Sequence, residues 1–435
     1  MNYAECLAYL ADLGHELRGV KFGLEPIQAV LEALDHPERV YATAIVAGTN
    51  GKGSTSAILA SILERAGYRT GLYTSPHLIR VNERIRVNGR EVSDEDFARS
   101  FGEVRQAIDR LLEAKSLEHR PSFFEYLTAT AFLHFSRSRV DFAVLEVGMG
   151  GRLDATNVTE PRVAVITNVD LDHMEFLGST HAAIAGEKAG VIKPRRPVVS
   201  ACEHPDAAEV VRRRALELGA ELLELPRFAT VSNVASVDGR ATFDLALNGH
   251  RFSGLETPLR GAFQVKNAMA ALTAACRLAG DGFDISTPAM VEGLRQASWP
   301  GRLEVIGERP LVVVDGAHNP AAAREVATFI RKHWAGRRLR LIYASMRDKA
   351  IGEISEILFP LADEVYFTRP PIERAATPEE ILAVTRYRPP HTVVEPDPVQ
   401  ALTLAREASS PDDVVLACGS LFLVGALLRA MTSGQ

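Results

Sequence analysis

Short apolar segments that recur between longer helical patterns are the feature that most constrains this sequence. Several of them are apolar almost throughout. Strands of a parallel sheet are buried on both faces and have this composition, whereas half-exposed strands alternate between apolar and polar residues. Strands separated by helices predict an α/β fold with a mostly parallel sheet covered by helices. The predicted strands are Val40–Ala47, Thr70–Thr74, Asp141–Val147, Arg162–Thr167 and Pro197–Ala201.

A second alternating series follows the segment ASWPGRLEV and predicts a smaller, Rossmann-like α/β unit. Pro300 and Gly301 break any helix at this point, so we place the domain boundary beside them. The chain would then consist of a larger domain, residues 1–297, and a smaller one, residues 298–435, and two domains suit its length. The strands predicted in the smaller domain are Leu311–Asp315, Arg338–Tyr343, Glu364–Thr368, Thr392–Glu395 and Val414–Ala417.

Composition and charge narrow the class of protein. Apolar residues make up 46% of the chain and charged residues 24%, which is enough to fill a large core. The net charge of −6 argues against a broad nucleic-acid-binding surface. The four cysteines are scattered without zinc-binding spacing, as in proteins of a reducing compartment, and the N-terminus lacks the pattern of a secretory signal. We expect a soluble cytoplasmic monomer that binds small molecules and neither nucleic acid nor membrane.

The segment AIVAGTNGKGSTS joins the first predicted strand to a helix predicted over Ser54–Ala66. Its spacing differs from the pattern G-x-x-x-x-G-K-[ST], because Val46 stands at the first glycine position and Gly53 at the hydroxyl position. It also fails the dinucleotide pattern G-x-G-x-x-G. A strand, a glycine-rich turn with Lys52 and a helix N-terminus nevertheless indicate phosphate binding. The alternative is an ordinary glycine-rich turn with a surface lysine.

Side chains that could bind a metal lie at or after the ends of three predicted strands. Glu146 ends one apolar run, Ser75 follows the strand Thr70–Thr74, and His173 follows the strand Arg162–Thr167. The carboxyl ends of parallel strands form the ligand crevice of such sheets, and magnesium, which accompanies ATP, prefers oxygen ligands. We therefore predict a metal site at Glu146, with Ser75 and His173 as further candidates. The alternatives are a solvated strand end, a Ser-Pro turn and a structural histidine.

In combination, eight segments resemble bacterial folylpolyglutamate synthases, including the bifunctional dihydrofolate synthases, within the Mur ligase family. They keep the order of that family and span nearly the whole chain. The segments are GTNGKGS at Gly48–Ser54, TSPHL at Thr74–Leu78, SFFEYLTATAF at Ser122–Phe132, LEVGMGGRLDATN at Leu145–Asn157, TNVDLDHMEFLG at Thr167–Gly178, GEKAGVIK at Gly186–Lys193, PGRLE at Pro300–Glu304 and DGAHNP at Asp315–Pro320.

The resemblance implies an ATP-dependent ligase of folate biosynthesis and one-carbon metabolism. ATP would phosphorylate a carboxylate of dihydropteroate or a folate, and the amine of L-glutamate would attack the acyl phosphate. Residues 1–297 would be the ATP-binding ligase domain and residues 298–435 a C-terminal ligase domain. Matching positions imply ATP binding by Gly51, Lys52, Gly53, Ser54, Asn267, Arg302 and Asp315; magnesium binding by Ser75, Glu146 and His173; a carbamylated Lys188 for a second magnesium; and pteridine binding by Ser122, Phe123, Phe124, Glu125, Leu153, Asp154 and Ala155.

Several of these roles have simpler alternatives. Ser122 and Glu125 have the spacing of a capping box, Phe123 and its neighbour Phe124 suit a core, and Lys188 suits a solvated helix surface. His318 follows an apolar strand in DGAHN, which favours a catalytic or phosphate contact over a role in the turn.

Rival functions are a Mur-type ligase of a cell-wall precursor and a nucleotide switch without ligase activity. The segments SFFEY and GRLDATN favour folate. Val169 stands where a GTPase has its base-reading lysine, which argues against the switch. Ala350 stands where the family often has an acid, so the sequence does not identify the glutamate-binding residues.

Overall fold

A computed structural model describes residues 1–14, 23–247 and 249–433. The larger sheet has eight strands in the order β4-β3-β2-β5-β1-β6-β7-β8, and its pairs from β2 to β8 are parallel. The five strands predicted for this region are confirmed, each one or two residues shorter than predicted. The strands are β1 (Ala42–Ala47), β2 (Thr70–Tyr73), β3 (Ile85–Val87), β4 (Arg90–Glu91), β5 (Phe142–Glu146), β6 (Val163–Ile166), β7 (Val198–Ser200) and β8 (Leu222–Glu224).

Helices cover both faces of this sheet, and a hydrophobic core lies on each face. Adjacent residues of β5 show why the strand is continuously apolar: Val144 packs into one core and Leu145 into the other. The helices are α1 (Tyr3–Asp12), α2 (Glu25–Glu32), α3 (Lys52–Arg65), α4 (Asp94–Glu113), α5 (Phe123–Arg137), α6 (Met174–Leu177), α7 (His181–Ala189), α8 (Pro205–Glu217), α9 (Leu225–Phe228), α10 (Phe263–Gly280) and α11 (Thr287–Gln296).

Between α9 and α10 lies a three-stranded antiparallel sheet in the order β11-β10-β9. Its inward side chains, such as Phe243 and Leu255, join the same core as α3 and α10. The strands are β9 (Ala229–Val237), β10 (Arg240–Leu247) and β11 (His250–Arg260).

The second α/β unit contains a six-stranded sheet in the order β12-β13-β17-β14-β15-β16, parallel except for β12. All five strands predicted here are confirmed. The antiparallel edge strand β12 was not predicted, because its side chains are only partly buried and its pattern is weak. The elements are β12 (Glu304–Glu308), β13 (Leu311–Val314), α12 (Pro320–His333), β14 (Leu339–Tyr343), α13 (Ile351–Leu358), β15 (Glu364–Phe367), α14 (Pro378–Val384), β16 (Thr392–Val394), α15 (Pro398–Glu407), β17 (Val414–Cys418) and α16 (Leu421–Ser433).

The predicted boundary at 297/298 lies between α11 and β12, and the exact division stays a prediction. Within the described parts of the chain, no helix is long and apolar enough to cross a membrane.

Candidate active site

The glycine-rich loop lies between β1 and α3 and has the geometry of an anion-binding turn. Gly51 has a φ of +82°, a left-handed conformation that favours glycine, and an added Cβ would lie 2.3 Å from Asn267 Oδ1. The amides of Thr49 and Asn50 donate to Asn168 Oδ1 at 3.1 and 2.8 Å, which fixes the loop to the end of β6. The first amides of α3 have no partner within the helix and are suited to bind phosphate oxygens.

Two lysines share one carbonyl oxygen of this loop. Lys52 Nζ donates to the carbonyl oxygens of Gly48 and Thr49 at 3.1 and 3.2 Å, and Lys188 Nζ donates to that of Gly48 at 2.8 Å. Burial lowers the pKa of Lys52, and the negative charge of Glu146 opposes this effect. Burial and then the positive charge of Lys52 lower the pKa of Lys188 to about 7. Lys188 is buried, so the solvated helix surface considered as an alternative is wrong.

The three predicted metal ligands lie at the exits of β2, β5 and β6, as the strand order requires. Glu146 is the last residue of β5, and its Oε2 accepts from the Ser75 amide at 3.0 Å. Burial raises the pKa of Glu146, and the charge of Lys52 opposes this. His173 precedes α6, and burial lowers its pKa to about 4. Its imidazole is therefore neutral near pH 7, the form that binds a metal.

A carboxylate, a hydroxyl and a neutral imidazole fit magnesium when phosphate oxygens and water complete its shell. Among the residues that the structure describes, no three His, Cys, Asp or Glu side chains are placed to hold a metal ion by themselves. The residues present therefore suit a metal that arrives with the nucleotide.

One cavity of about 760 Å³ brings almost all of the predicted site residues together. Its wall is formed by the strand exits of the larger sheet on one side and by residues of the second α/β unit on the other. Every predicted residue except Phe123 lines it: Gly51, Lys52, Gly53, Ser54, Ser75, Ser122, Phe124, Glu125, Glu146, Leu153, Asp154, Ala155, His173, Lys188, Asn267, Arg302, Asp315 and His318.

The N-terminus of α5 forms another part of the wall of this cavity. Ser122 and Glu125 form the capping box that their spacing predicts, with the Ser122 amide donating to Glu125 Oε2 at 2.7 Å. The other oxygen of the same carboxylate, Oε1, is buried without a hydrogen-bond partner, and burial raises the pKa of Glu125. Phe123 and Phe124 both pack against the same hydrophobic core, but of the two only Phe124 lines the cavity; Arg84 Cζ lies 5.4 Å from the ring centre of Phe123. The substrate-binding role of Phe123 stays a prediction.

Asp154 shapes the glycine-rich segment that follows β5. Its Oδ2 accepts from the amides of Gly148 and Met149 at 3.0 and 3.1 Å, and its Oδ1 accepts from Thr156. A Cβ at Gly148 would lie 2.7 Å from the Phe124 ring, so only glycine permits the backbone to approach this closely. The carboxylate of Asp154 is thus already occupied by its own loop.

The second α/β unit contributes Arg302, Asp315 and His318 to the cavity. Asp315 accepts from the amides of Leu303 and Ala317 at 2.9 and 2.8 Å, and burial raises its pKa while Arg302 opposes this. His318 Nδ1 lies 2.8 Å from the Gly316 carbonyl oxygen, which assigns the proton to Nδ1. Burial lowers the pKa of His318 to about 4, so the ring is neutral near pH 7.

Sequence reasoning missed Gln264, which connects two predicted ATP-binding residues. Its Nε2 donates to Ser54 Oγ at 3.3 Å, and its Oε1 accepts from Asn267 Nδ2 at 2.9 Å. The side chain is fully buried. Gln264 lies three residues before Asn267 on α10 and therefore on the same helix face. This spacing could have indicated that the two side chains are neighbours.

Comparison with known proteins assigns this arrangement to a class. The family model described as "Mur ligase middle domain" matches residues 46–275, and "Mur ligase, glutamate ligase domain" matches residues 301–421. This chain, with a phosphate loop on a parallel sheet and a second α/β unit, is thus of the class of the Mur ligases, which are ATP-dependent.

Relatives over the whole chain define the family more narrowly. The dihydrofolate synthase/folylpolyglutamate synthase of Bacillus subtilis is 34% identical over 95% of this chain and 96% of its own length. The Escherichia coli protein of the same description is 33% identical over 98% and 95%. A structure of Escherichia coli FolC in complex with DHPP and ADP has a TM-score of 0.88 at 31% identity, covering 100% of this chain and 98% of that one. The folylpolyglutamate synthase of Thermotoga maritima has a TM-score of 0.86 at 33% identity, covering 100% and 97%. The chain belongs to the dihydrofolate synthase/folylpolyglutamate synthase family and is an ATP-dependent ligase.

Proposed function

We propose that this enzyme joins the amine of L-glutamate to a carboxylate of a folate substrate, using ATP. The acceptors would be tetrahydrofolates, which gain further glutamates, and dihydropteroate, which becomes dihydrofolate. The observation that carries the proposal is the single cavity that the phosphate loop, Glu146 and the Ser122–Glu125 turn all line. A relative of the same fold in complex with DHPP and ADP supports an acceptor and a nucleotide in such a cavity.

The first step would transfer the terminal phosphoryl group of ATP to the acceptor. An oxygen of the acceptor carboxylate attacks the γ-phosphorus, the bond to ADP breaks, and an acyl phosphate forms. Both reactants are anionic, so the reaction needs positive charge beside the phosphates. Lys52, the N-terminus of α3 and Arg302 would supply it.

The second step would form the amide. The neutral amine of glutamate attacks the carbonyl carbon, phosphate leaves with one oxygen of the original carboxylate, and the amine gives up a proton. Water would destroy the acyl phosphate, so the site must exclude it. Residues of both α/β units line the cavity, which supports closure around the reactants.

Ser75, Glu146 and His173 would hold magnesium together with the ATP phosphates. When bound, the metal would neutralise charge on the phosphate oxygens. A relative supports a divalent metal. The structure of the Yersinia pestis enzyme is a complex with AMPPNP and a manganese ion, and it matches this chain with a TM-score of 0.84 at 30% identity.

Lys188 would be carbamylated. The neutral amine attacks carbon dioxide, a carbamate forms and one proton is released, so the reaction requires a deprotonated lysine. The lowered pKa of about 7 leaves roughly half of Lys188 neutral at pH 7, against fewer than about one ordinary lysine in a thousand. The product is a carboxylate-like group beside the phosphate loop, suited to a second magnesium.

The acceptor would lie on Phe124, with its polar edge towards Glu125. Glu125 Oε1 is buried without a partner, and a ring N–H or amino group of a pterin would supply the missing donor. Phe124 offers a flat apolar surface for the ring. Leu153 and Ala155 would border the same subsite.

Product analysis with each acceptor in turn tests the proposal. The enzyme is incubated with ATP, magnesium, L-glutamate and either dihydropteroate or tetrahydrofolate, and products are identified by mass spectrometry. The proposal requires one added glutamyl residue on both acceptors and one ADP for each amide. A product from tetrahydrofolate alone would remove the dihydrofolate synthase activity. Amide formation on a nucleotide-linked cell-wall precursor, with none on any pterin, would support a Mur-type ligase of cell-wall synthesis. Nucleotide hydrolysis without an amide product would support a nucleotide switch without ligase activity.

A further inference from the structure

Direct polar contacts connect the phosphate-loop side of the cavity to the second α/β unit. Asp172, which follows β6, receives a hydrogen bond on each carboxylate oxygen from residues of the second unit. Lys349 Nζ donates to its Oδ1 at 2.9 Å, and Asn319 Nδ2 donates to its Oδ2 at 3.0 Å. His318 Nε2 lies 3.9 Å from the same Oδ2. The side chains of Asp172 and Lys349 are only 11% and 8% exposed.

Asn319 connects this contact to the phosphate loop itself. The amides of Asn319 and Asn50 lie side by side, with Asn319 Nδ2 donating to Asn50 Oδ1 at 3.0 Å and Asn50 Nδ2 donating back at 3.3 Å. Asn50 directly precedes Gly51 in the loop. A single side chain of the second unit therefore contacts both the loop and Asp172.

Asn319 also begins helix α12. Its Oδ1 accepts from the Ala322 amide at 2.9 Å, so the residue is the N-cap of that helix. Because its cap geometry is fixed, its amide nitrogen is held in one direction, towards Asn50 and Asp172. The turn that leads into this cap, residues 315–319, contains Asp315 and His318.

The ion pair of Asp172 with Lys349 is selective for one arrangement of the two units. When the units separate, each charge returns to water, but when they meet out of register each is buried without its partner. An unpaired buried charge is strongly unfavourable, so such pairs specify geometry more than they add stability.

We propose that Asp172, Asn319 and Lys349 are positioning residues that dock the second α/β unit on the phosphate loop. Docking places Arg302, Asp315 and His318 against the nucleotide that the loop binds. The inference rests on the proposed ligase function for its consequence in turnover, but the docking itself is independent of the acceptor. A change in the conformation of the phosphate loop on nucleotide binding would affect the second unit through the contact between Asn50 and Asn319.

Variants at Asn319 separate docking from folding. Asn319→Ser retains an N-cap oxygen but loses the donating amide. Asn319→Asp also retains the cap and places a second carboxylate against Asp172. We expect kcat to be highest in the wild type, lower in Asn319→Ser and lowest in Asn319→Asp. The Asn319→Asp variant should fall below the wild type by about 30-fold or more. Glu175→Gln, which removes an exposed carboxylate three residues after Asp172 and outside the lining of the cavity, is the matched control and should leave kcat unchanged.

Small-angle scattering with a non-hydrolysable ATP analogue, and no acceptor, measures docking directly. With the analogue bound, the wild type and the control should have the compact dimensions of the docked structure. Asn319→Asp should have a larger radius of gyration, with a melting temperature close to that of the wild type. A compact Asn319→Asp variant with wild-type kcat would overturn the inference. Because no acceptor is present, an error in the proposed substrate does not affect the scattering result.

A double-mutant cycle on Asp172→Asn and Lys349→Met provides the second measurement. If the two residues act as one docking contact, the double variant loses no more kcat than the worse single variant. Losses that multiply would contradict a shared role.

Discussion

Replacing Lys188 by methionine should stabilise the protein and abolish its turnover at the same time. Lys188 is 3% exposed, and an unpaired ammonium is unfavourable in such surroundings. Methionine has a similar length and no charge. The Gly48 carbonyl oxygen that Lys188 contacts would keep its hydrogen bond from Lys52 at 3.1 Å, so the substitution leaves no carbonyl without a partner.

The magnitude follows from the pKa. Folding lowers the pKa of Lys188 from 10.5 to about 7. At about 1.4 kcal/mol per pH unit, the buried lysine costs at most roughly 5 kcal/mol of unfolding free energy below pH 7. Between pH 7 and 10.5 the unfolded chain binds more protons than the folded one, so the cost decreases as pH rises. Above about pH 10.5 it disappears.

Chemical denaturation in carbon-dioxide-free buffer between pH 6.5 and 10 measures this effect. The free energy of unfolding of Lys188→Met should exceed that of the wild type by several kcal/mol at pH 7, and this difference should shrink at higher pH. Lys266→Met is the control, because the Lys266 side chain is 55% exposed and its substitution should give no such pH-dependent gain. Equal stability of Lys188→Met and wild type at pH 7, or a gain independent of pH, would refute the reasoning.

Bicarbonate tests the carbamate on the same two proteins. Carbamylation removes the neutral amine of the folded state, so added bicarbonate should stabilise the wild type and leave Lys188→Met unchanged.

Four further substitutions test separate parts of the site. Lys52→Ala and Glu146→Ala should each lower kcat by about a hundredfold or more while circular dichroism remains unchanged; near-normal turnover in either would remove that residue from the mechanism. Gly51→Ala should cost about 1–2 kcal/mol in denaturant titration and weaken ATP binding, because its φ is +82° and its Cβ would meet Asn267; wild-type ATP affinity would argue against this loop geometry. Glu125→Gln keeps a capping box and should raise KM for the folate acceptor but not for ATP; an unchanged acceptor KM would place the pterin elsewhere.

The sequence predicted the strands well because buried parallel strands are nearly continuous apolar runs. The exits of those strands then predicted Ser75, Glu146 and His173 as neighbours, since the carboxyl ends of parallel strands share one edge. Edge strands such as β8 and β12 were missed because none of their residues is fully buried, and their apolar patterns are correspondingly weak.

Contacts between distant parts of the chain could not be predicted from the sequence. Lys349 meets Asp172 across 177 positions, and neither has a local pattern that indicates a partner. The direction of a side chain at a helix start has no local sequence pattern either, so the sequence did not indicate that Phe124, and not Phe123, lines the cavity. The burial of Lys188 likewise depends on how α7 packs, which its own sequence does not specify.

The fate of one carboxylate oxygen tests the central claim most directly. The acceptor is labelled with ¹⁸O in its reacting carboxylate and incubated with the enzyme, ATP, magnesium and L-glutamate, and the phosphate released is examined by mass spectrometry. Ligation through an acyl phosphate predicts one ¹⁸O in each phosphate formed with the amide. Unlabelled phosphate alongside amide product would contradict phosphoryl transfer to the acceptor and with it this account of the site.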